Sequence, residues 1–204
     1  FATLREYLDT NVNKVLWLYT ESNDLTGLVQ EIKANLLMKY IEDLNFTQNI
    51  KSKQDQVDKM AKKKILDRYN EVKKENKLSF KIMQFFKIYN LRRFITRSIQ
   101  PELKPDKIKE LSPEFIKIIK LANDFTKKKD AKLYFVYLPD YERYVTNYDN
   151  TMYIKVKNFV NELNIPFIDI HEEVFLKEQN PLDLFPFNMQ GHYNIEGYKK
   201  VAET

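Results

Sequence analysis

Three short runs of mainly apolar residues lie along the chain, and each has the length of a β-strand. They occupy residues 12–19, 132–138 and 165–170. Apolar side chains fill consecutive positions in most of each run instead of alternating with polar ones. That pattern is typical of strands covered on both faces of a sheet, so we expect three buried strands.

Elsewhere, apolar residues recur every three or four positions, as they do on one face of an α-helix. This spacing predicts one long helix over residues 25–44 and further helices after Ser112, Asn150 and Asn194. Serine and asparagine are favoured directly before a helix because their side chains accept hydrogen bonds from its first turn. We therefore expect these three residues to cap the helices that follow them.

The order of these elements predicts a parallel α/β sheet with helices on both faces, because strands and helices alternate along the chain. Ligands of such sheets bind at the carboxyl ends of the strands. The polar segments at those ends are residues 20–24, residues 139–143, and His171 with the loop after it. Functional side chains are expected there.

Residues 46–111 have a different character, rich in Lys, Asn and Gln and poor in strand signals. We predict a helical insertion or lid here, separate from an α/β domain formed by residues 1–45 and 112–204. Within it, residues 78–93 have the pattern of an amphipathic basic helix. Such a helix packs onto its own domain or lies on a membrane surface.

The composition excludes several classes of protein. The chain has no cysteine, two histidines and three glycines among its 204 residues. Disulfide scaffolds, thiolate metal sites, three-histidine zinc sites and Gly-rich phosphate loops are therefore ruled out, and we predict no cofactor and no metal. Its apolar runs are far shorter than the roughly 20 residues of a transmembrane helix. The net charge is +5, but aromatic residues do not interleave the lysine runs, so we expect no nucleic acid partner.

Two residues stand out as candidates for chemistry. Asn23 follows the first strand, where its side-chain amide can stabilise an oxyanion or cap the next helix. His192 lies in a loop before the last helix, a position suited to a general base. His171 directly follows the third strand, a position open to a catalytic role, but we expect it to have a structural hydrogen bond.

Four segments resemble conserved parts of the SGNH hydrolases, the GDSL-type lipases and esterases. Residues 15–25 (VLWLYTESNDL) look like the family's third block, where a strand runs into Gly-x-Asn-Asp. Residues 191–203 (GHYNIEGYKKVAE) look like its fifth block, with the pattern His-x-Asn-x-x-Gly. Residues 133–139 (LYFVYLP) and 165–171 (IPFIDIH) look like its fourth and fifth strands. The resemblance implies a flavodoxin-like three-layer α/β/α sandwich.

By this resemblance, Asn23 matches the oxyanion-hole asparagine and His192 the catalytic histidine. Two positions depart from the family pattern. Glu21 stands where the third block has glycine, and Met189 stands three residues before the histidine, where the family has aspartate. The acid must then come from elsewhere or be dispensable. Asp183 is the nearest upstream candidate, and Asp169 is a rival for which a structural role is expected.

No residue of the chain can be assigned as the nucleophile. The five serines Ser22, Ser52, Ser79, Ser98 and Ser112 lack the strand-to-turn setting of the family's Gly-Asp-Ser block. The chain also begins at Phe1 without an initiator methionine and ends at Thr204 within a helical pattern. We therefore expect a C-terminal portion of a longer polypeptide, with the serine and glycine blocks upstream.

The resemblance implies an ester hydrolase or O-acyltransferase that acts through serine, histidine and an asparagine oxyanion hole. Its substrate would be an acyl ester, and relatives suggest an acylated carbohydrate at the cell envelope, with any membrane anchor upstream. The alternative is a catalytically inactive module whose basic segment 46–111 contacts an anionic surface or a partner. Location in the periplasm or envelope is expected over the cytoplasm, and the oligomeric state is left open.

Overall fold

The computed structural model describes residues 1–21, 23–75 and 110–204. The chain divides into two compact units, one formed by Phe1–Phe46 with Pro105–Thr204 and the other by Thr47–Lys104. The first unit holds all the described strands. Its elements before the second unit are α1 (Ala2–Tyr7), β1 (Lys14–Thr20), α2 (Asp24–Glu31) and α3 (Asn35–Glu42). The helix α4 (Gln54–Glu75) belongs to the second unit. The elements of the first unit then continue with α5 (Pro113–Lys127), β2 (Lys132–Leu138), α6 (Glu142–Val145), α7 (Thr151–Glu162), β3 (Phe167–Asp169), α8 (Ile170–Glu173) and α9 (Ile195–Glu203).

The sheet of the described residues has three strands in the order β1-β2-β3, and both pairings are parallel. Lys14 pairs with Lys132 and Thr20 with Leu138, so β1 and β2 end side by side. Tyr137 pairs with Asp169 near the end of β2. The predicted mixed α/β class with a parallel sheet is confirmed, and the three segments that follow the strands meet at one edge.

The strand β2 forms the centre of two hydrophobic cores. Phe135 and Tyr137 point into a core that also contains Tyr19 of β1 and apolar residues of α5 and α7. Val136 belongs to the other core, which α8 and the segment after it complete with Ile170 and Phe175. Since alternate residues of a strand face opposite sides of the sheet, β2 is buried on both faces, as its apolar run predicts.

The strand β1 is not covered on both faces, and that prediction is wrong. Leu16 and Leu18 are each 60% exposed, whereas Tyr19 is buried. The reason is the position of β1 at the edge of the described sheet, where no described helix packs onto the face that carries Leu16 and Leu18. An uninterrupted apolar run indicates two faces that are able to pack, and here one of them has no described partner.

The long helix predicted over residues 25–44 is two helices, α2 and α3. The backbone of Ala34 is extended and breaks the helix, which lets α3 bury Tyr40 and Ile41. Arg5 of α1 holds the end of α3, because its guanidinium donates hydrogen bonds to the backbone oxygens of Tyr40, Asp43, Leu44 and Phe46. A long-range contact of this kind leaves no trace in helical periodicity.

Two of the three predicted helix caps are confirmed. The Oγ of Ser112 accepts from the backbone N–H of Phe115 at 3.1 Å, and the Oδ1 of Asn194 accepts from Gly197 at 2.9 Å. Asn150 precedes α7 but its side chain makes no capping hydrogen bond. Its Oδ1 instead accepts from Arg143 at 2.6 Å, because that buried guanidinium requires acceptors.

The second unit is described from its beginning to residue 75. A 3₁₀ turn at Lys51–Lys53 leads into the helix α4 (Gln54–Glu75), whose described side chains are all exposed, including Ile65 and Tyr69. The amphipathic basic helix predicted over residues 78–93 lies outside the described residues. No helix within the described part of the chain is long and apolar enough to cross a lipid bilayer.

Candidate functional site

A cleft of about 270 Å³ opens at the carboxyl ends of β1 and β2. Asn23 lines it from the turn after β1, Asp140 from the loop after β2, and His192 from the loop before α9. The two residues that sequence analysis singled out, Asn23 and His192, are thus brought to one cavity. They are 169 positions apart in the chain, so only the parallel arrangement of the sheet brings them together.

The side-chain amide of Asn23 is not used as a helix cap. Asn23 occupies the position before α2, but its side chain makes no capping hydrogen bond. The turn is held by other groups: the backbone N–H of Asn23 donates to the Thr20 oxygen at 3.2 Å, and the Asp24 carboxylate accepts from the Thr20 N–H at 3.1 Å. Asn23 is exposed in the cleft, so its amide is available to a ligand.

Glu21 anchors the turn that carries Asn23. Its carboxylate and the guanidinium of Arg143 form an ion pair in which the side chains are 5% and 4% exposed. The same carboxylate accepts from the Arg143 Nε at 3.0 Å and from the backbone N–H of Asp140 at 3.2 Å. Glu21, at the position where the family pattern has glycine, therefore links the segments that follow β1 and β2 through its buried side chain.

Aromatic side chains enclose the guanidinium of Arg143. It lies 4.7 Å from the ring centre of Tyr148 and 4.8 Å from that of Tyr153, and it donates to the Tyr137 hydroxyl at 3.0 Å. Burial and the charge of Glu21 raise the pKa of Tyr137 above its usual range, so the phenol stays neutral. Sequence reasoning missed this cluster, although Glu21 and Arg143 both lie in segments that follow strands.

Three hydrogen bonds between described residues connect the His192 loop to the loop after β2 and the start of α6. The Tyr193 hydroxyl donates to the Pro139 oxygen at 2.6 Å, and the Tyr141 hydroxyl donates to the Asn188 oxygen at 3.0 Å. The third joins the Gln190 Nε2 to the Glu142 Oε1 at 3.3 Å. Burial and the nearby charge of Asp140 raise the pKa of Tyr193, in keeping with the closeness of the two loops.

The pattern His-x-Asn-x-x-Gly has a physical basis at this site. Asn194 caps α9 with its Oδ1 and donates from Nδ2 to the backbone oxygen of Asp183 at 2.7 Å. A Cβ on Gly197 would lie 2.7 Å from the backbone oxygen of Leu184, so only glycine allows α9 to approach this closely. Both residues therefore fix the start of α9, three positions after His192.

The imidazole of His192 is exposed, and no group in the described part of the chain is hydrogen-bonded to it. Asp183, the candidate acid, does not line the cleft. Its side chain is exposed and its Oδ1 accepts from Asn180 at 2.9 Å. Met189, in the position where the SGNH pattern has aspartate, is 63% exposed. The structure thus brings Asn23 and His192 together without bringing Asp183 to them.

His171 and Asp169 have structural partners at the end of β3. The Nδ1 of His171 lies 3.0 Å from the Tyr144 hydroxyl, and burial together with the charge of Arg143 lowers the pKa of this histidine. Asp169 accepts from Tyr153 at 2.6 Å, from Lys157 at 2.8 Å and from the backbone N–H of Glu172, capping α8. Neither residue lines the cleft.

Two of the five serines have described positions, and neither lines the cleft. The Ser52 hydroxyl donates to the Asn49 oxygen at 2.8 Å in the second unit, and Ser112 caps α5. Ser22, Ser79 and Ser98 lie outside the described residues. The described residues therefore place an amide donor and an imidazole in one cleft that no described serine lines.

No family model, curated protein or solved structure matches the chain.

Proposed function

We propose that this chain forms the oxyanion and general-base half of a serine-dependent ester hydrolase or O-acyltransferase. The observation that supports the proposal is the common cleft of Asn23 and His192. A tetrahedral centre is small, so a hydrogen-bond donor and a base must share one cavity to act on it. The same proposal places the three described strands within a flavodoxin-like α/β/α sandwich.

In the proposed reaction, His192 removes the proton from a serine hydroxyl as the serine oxygen attacks the ester carbonyl. The carbonyl oxygen becomes an oxyanion that accepts a hydrogen bond from the Asn23 amide. Collapse of the tetrahedral intermediate breaks the bond to the alcohol, which leaves with the proton from His192. Water or a sugar hydroxyl then attacks the acyl-serine by the same steps in reverse, which gives hydrolysis or acyl transfer.

The serine comes from outside the described residues, on a strand that pairs with the edge of β1 that no described strand occupies. Leu16 and Leu18 support this placement, because such a strand and its helix would cover the apolar face that is exposed here. A strand parallel to β1 ends at the same edge of the sheet as Thr20. Its carboxyl end would therefore deliver a serine to the cleft.

An acylated carbohydrate is the proposed substrate, and the cell envelope the proposed location, both from the SGNH resemblance. The lining of the cleft is compatible with a substrate that has polar and apolar parts. Gln190 and Asn23 offer amides, while Leu138, Pro139 and Tyr198 offer apolar surface. Any attachment to a membrane is assigned to residues outside those described.

The competing proposal is an inactive module that has kept this sheet. Met189 in the place of the aspartate favours it, since the residue that orients the histidine in the family pattern is absent. Under this alternative the basic segment 46–111 carries the function by contacting an anionic surface or a partner. The two proposals differ in whether a polypeptide that contains this chain hydrolyses an ester through Asn23 and His192.

The deciding experiment measures hydrolysis of p-nitrophenyl acetate by a polypeptide that contains this chain together with the serine-bearing segment. His192→Ala is expected to lower kcat by about 10⁴-fold or more, with unchanged folding by circular dichroism. Asn161→Ala, an exposed residue of α7 away from the cleft, serves as the control and keeps full activity. Absence of turnover in the wild-type polypeptide would favour the inactive module, and unchanged turnover in His192→Ala would remove His192 from the mechanism.

A further inference from the structure

The cleft contains a carboxylate that sequence analysis did not single out, although it lies within the segment 139–143 where functional side chains are expected. Of the described residues that line it, Asp140 alone carries a carboxyl group. The other titratable side chains in the lining are His192, Tyr193 and Tyr198. Asp140 directly follows Pro139 on the loop after β2. An imidazole and a carboxylate on facing loops are the arrangement that orients a catalytic histidine.

The backbone on both sides of Asp140 is tied to the His192 loop. Its preceding neighbour, Pro139, accepts the hydrogen bond of Tyr193, the residue after His192, at 2.6 Å. Its following neighbour, Tyr141, donates to Asn188 in the same loop at 3.0 Å. Contacts on either side of Asp140 thus hold its loop against the loop of His192.

One oxygen of the Asp140 carboxylate has no hydrogen-bond donor among the described residues. Its Oδ1 accepts from the backbone N–H of Tyr141 at 2.7 Å, while no group among residues 1–21, 23–75 and 110–204 donates to its Oδ2. The Asp140 N–H is bound to Glu21, which fixes the backbone of the residue from the other side. By contrast, the carboxylate of Asp183 is bound to Asn180 outside the cleft.

We propose that Asp140 is the positioning residue for His192, accepting the imidazole Nδ1–H and thereby leaving Nε2 free to take the serine proton. The proposal rests on the function proposed above. In it, Asp140 takes the role of the acid that sequence analysis offered to Asp183 and that the family pattern gives to an aspartate at the position of Met189. Asp140 remains an anion throughout, and it stabilises the imidazolium that forms when His192 accepts the proton. In unliganded enzymes, such hydrogen bonds are often longer or less well aligned than in the substrate complex.

The first test reads the imidazole tautomer directly and needs neither serine nor substrate. The chain has only two histidines, so ¹⁵N-histidine labelling gives two sets of ring signals, which His192→Ala assigns. The neutral His192 ring is expected to carry its proton on Nδ1 in the wild type and in Asp140→Glu, and on Nε2 in Asp140→Asn. The last shift follows because the new amide donates to Nδ1.

Asp183→Asn is the matched control and is expected to keep the wild-type tautomer. The His171 ring signals report whether each variant is folded. If Asp140→Asn disturbs them, Asp140→Ser replaces it, because a serine hydroxyl also accepts from the Tyr141 N–H. A wild-type tautomer in folded Asp140→Asn or Asp140→Ser, or a changed one in Asp183→Asn, would overturn the proposal.

The second test uses turnover by the polypeptide that contains the serine. Asp140→Asn is expected to lower kcat by about 10⁴-fold with little change in KM, because it alters the base and not the binding of substrate. If His192→Ala leaves turnover unchanged while the tautomer result holds, the proposed function fails and the Asp140–His192 contact stands. If His192→Ala abolishes turnover and Asp140→Asn does not lower kcat, the positioning role of Asp140 fails alone.

Discussion

The carboxylate of Glu21 and the guanidinium of Arg143 form a buried ion pair that joins the end of β1 to the segment after β2. Glu21 is two residues before Asn23, and its Oε2 also accepts the N–H of Asp140. One carboxylate therefore holds both turns that border the cleft. A glycine at this position, as in the SGNH pattern, would leave that connection to other groups.

Removal of either partner of this pair is expected to destabilise the first unit strongly. Arg143→Met leaves the Glu21 carboxylate buried without its counter-ion, and loss of one partner of a buried pair costs about 3–5 kcal/mol. The free energy of unfolding from urea titration measures the loss. Lys177→Ala is the control, since the Lys177–Glu173 pair is exposed and its loss costs less than about 0.5 kcal/mol. Equal effects in the two variants would contradict this account.

The central part of the fold was predictable because local pattern and final environment agree there. The run at residues 132–138 is buried on both faces, and Ser112 and Asn194 cap their helices through contacts three residues along the chain. The face of β1 carrying Leu16 was misjudged because an apolar run cannot show whether a neighbour covers it. The capping prediction for Asn150 was wrong because its side chain binds Arg143, and a helical pattern gives no information about that contact.

The candidate site was predictable only in part. Asn23 and His192 have recognisable local settings, a strand end and a loop before a helix. Glu21, Arg143 and Asp140 also lie in the segments that follow β1 and β2, but their roles depend on which loops meet above the sheet. The register of β1 against β2 determines which loops lie next to each other. The residue pattern within a single loop carries no information about that register.

Gly197→Ala is expected to destabilise the His192 region, because its Cβ would lie 2.7 Å from the backbone oxygen of Leu184. Overpacking against backbone costs about 1–3 kcal/mol. Gly27→Ala in α2 is the matched control: its Cβ meets nothing within 4 Å, so that variant is expected to gain up to about 1 kcal/mol. Urea unfolding of both variants tests the contrast, and stabilisation by both would refute the close approach of α9.

The partly buried His171 is expected to make stability depend on pH below about neutrality. Burial and the charge of Arg143 lower its pKa from the model-peptide value of 6.5, against the opposing charges of Asp169, Glu21 and Glu172. As pH falls below 6.5, the unfolded chain binds a proton that the folded chain does not, so stability decreases until the folded pKa is reached.

The comparison variant for this pH effect is His171→Gln, which keeps a polar partner for the Tyr144 hydroxyl but has no ionisable ring. Melting temperatures from pH 4.5 to 7.5 are expected to fall less steeply towards acid in this variant than in the wild type. If the melting temperatures of the two proteins fall equally towards acid across that range, His171 does not contribute to the acid sensitivity.

Tyr193→Phe is expected to lower turnover more than it lowers stability. The substitution removes the 2.6 Å hydrogen bond to the Pro139 oxygen, which ties the residue after His192 to the residue before Asp140. Loss of one such bond costs about 1 kcal/mol of stability, a modest effect. The effect on the rate is larger, because a displacement of a catalytic base by 1 Å lowers the rate by up to about 10²-fold.

This prediction is checked by kcat for p-nitrophenyl acetate in the serine-containing polypeptide, alongside urea unfolding of the same variant. Tyr198→Phe is the control, because Tyr198 lines the cleft without tying the two loops together. If Tyr193→Phe reduces kcat no more than Tyr198→Phe does, the hydrogen bond between the loops has no part in placing His192. If Tyr193→Phe alone loses rate, the loop contacts that carry the Asp140 proposal are also those that hold the base in place.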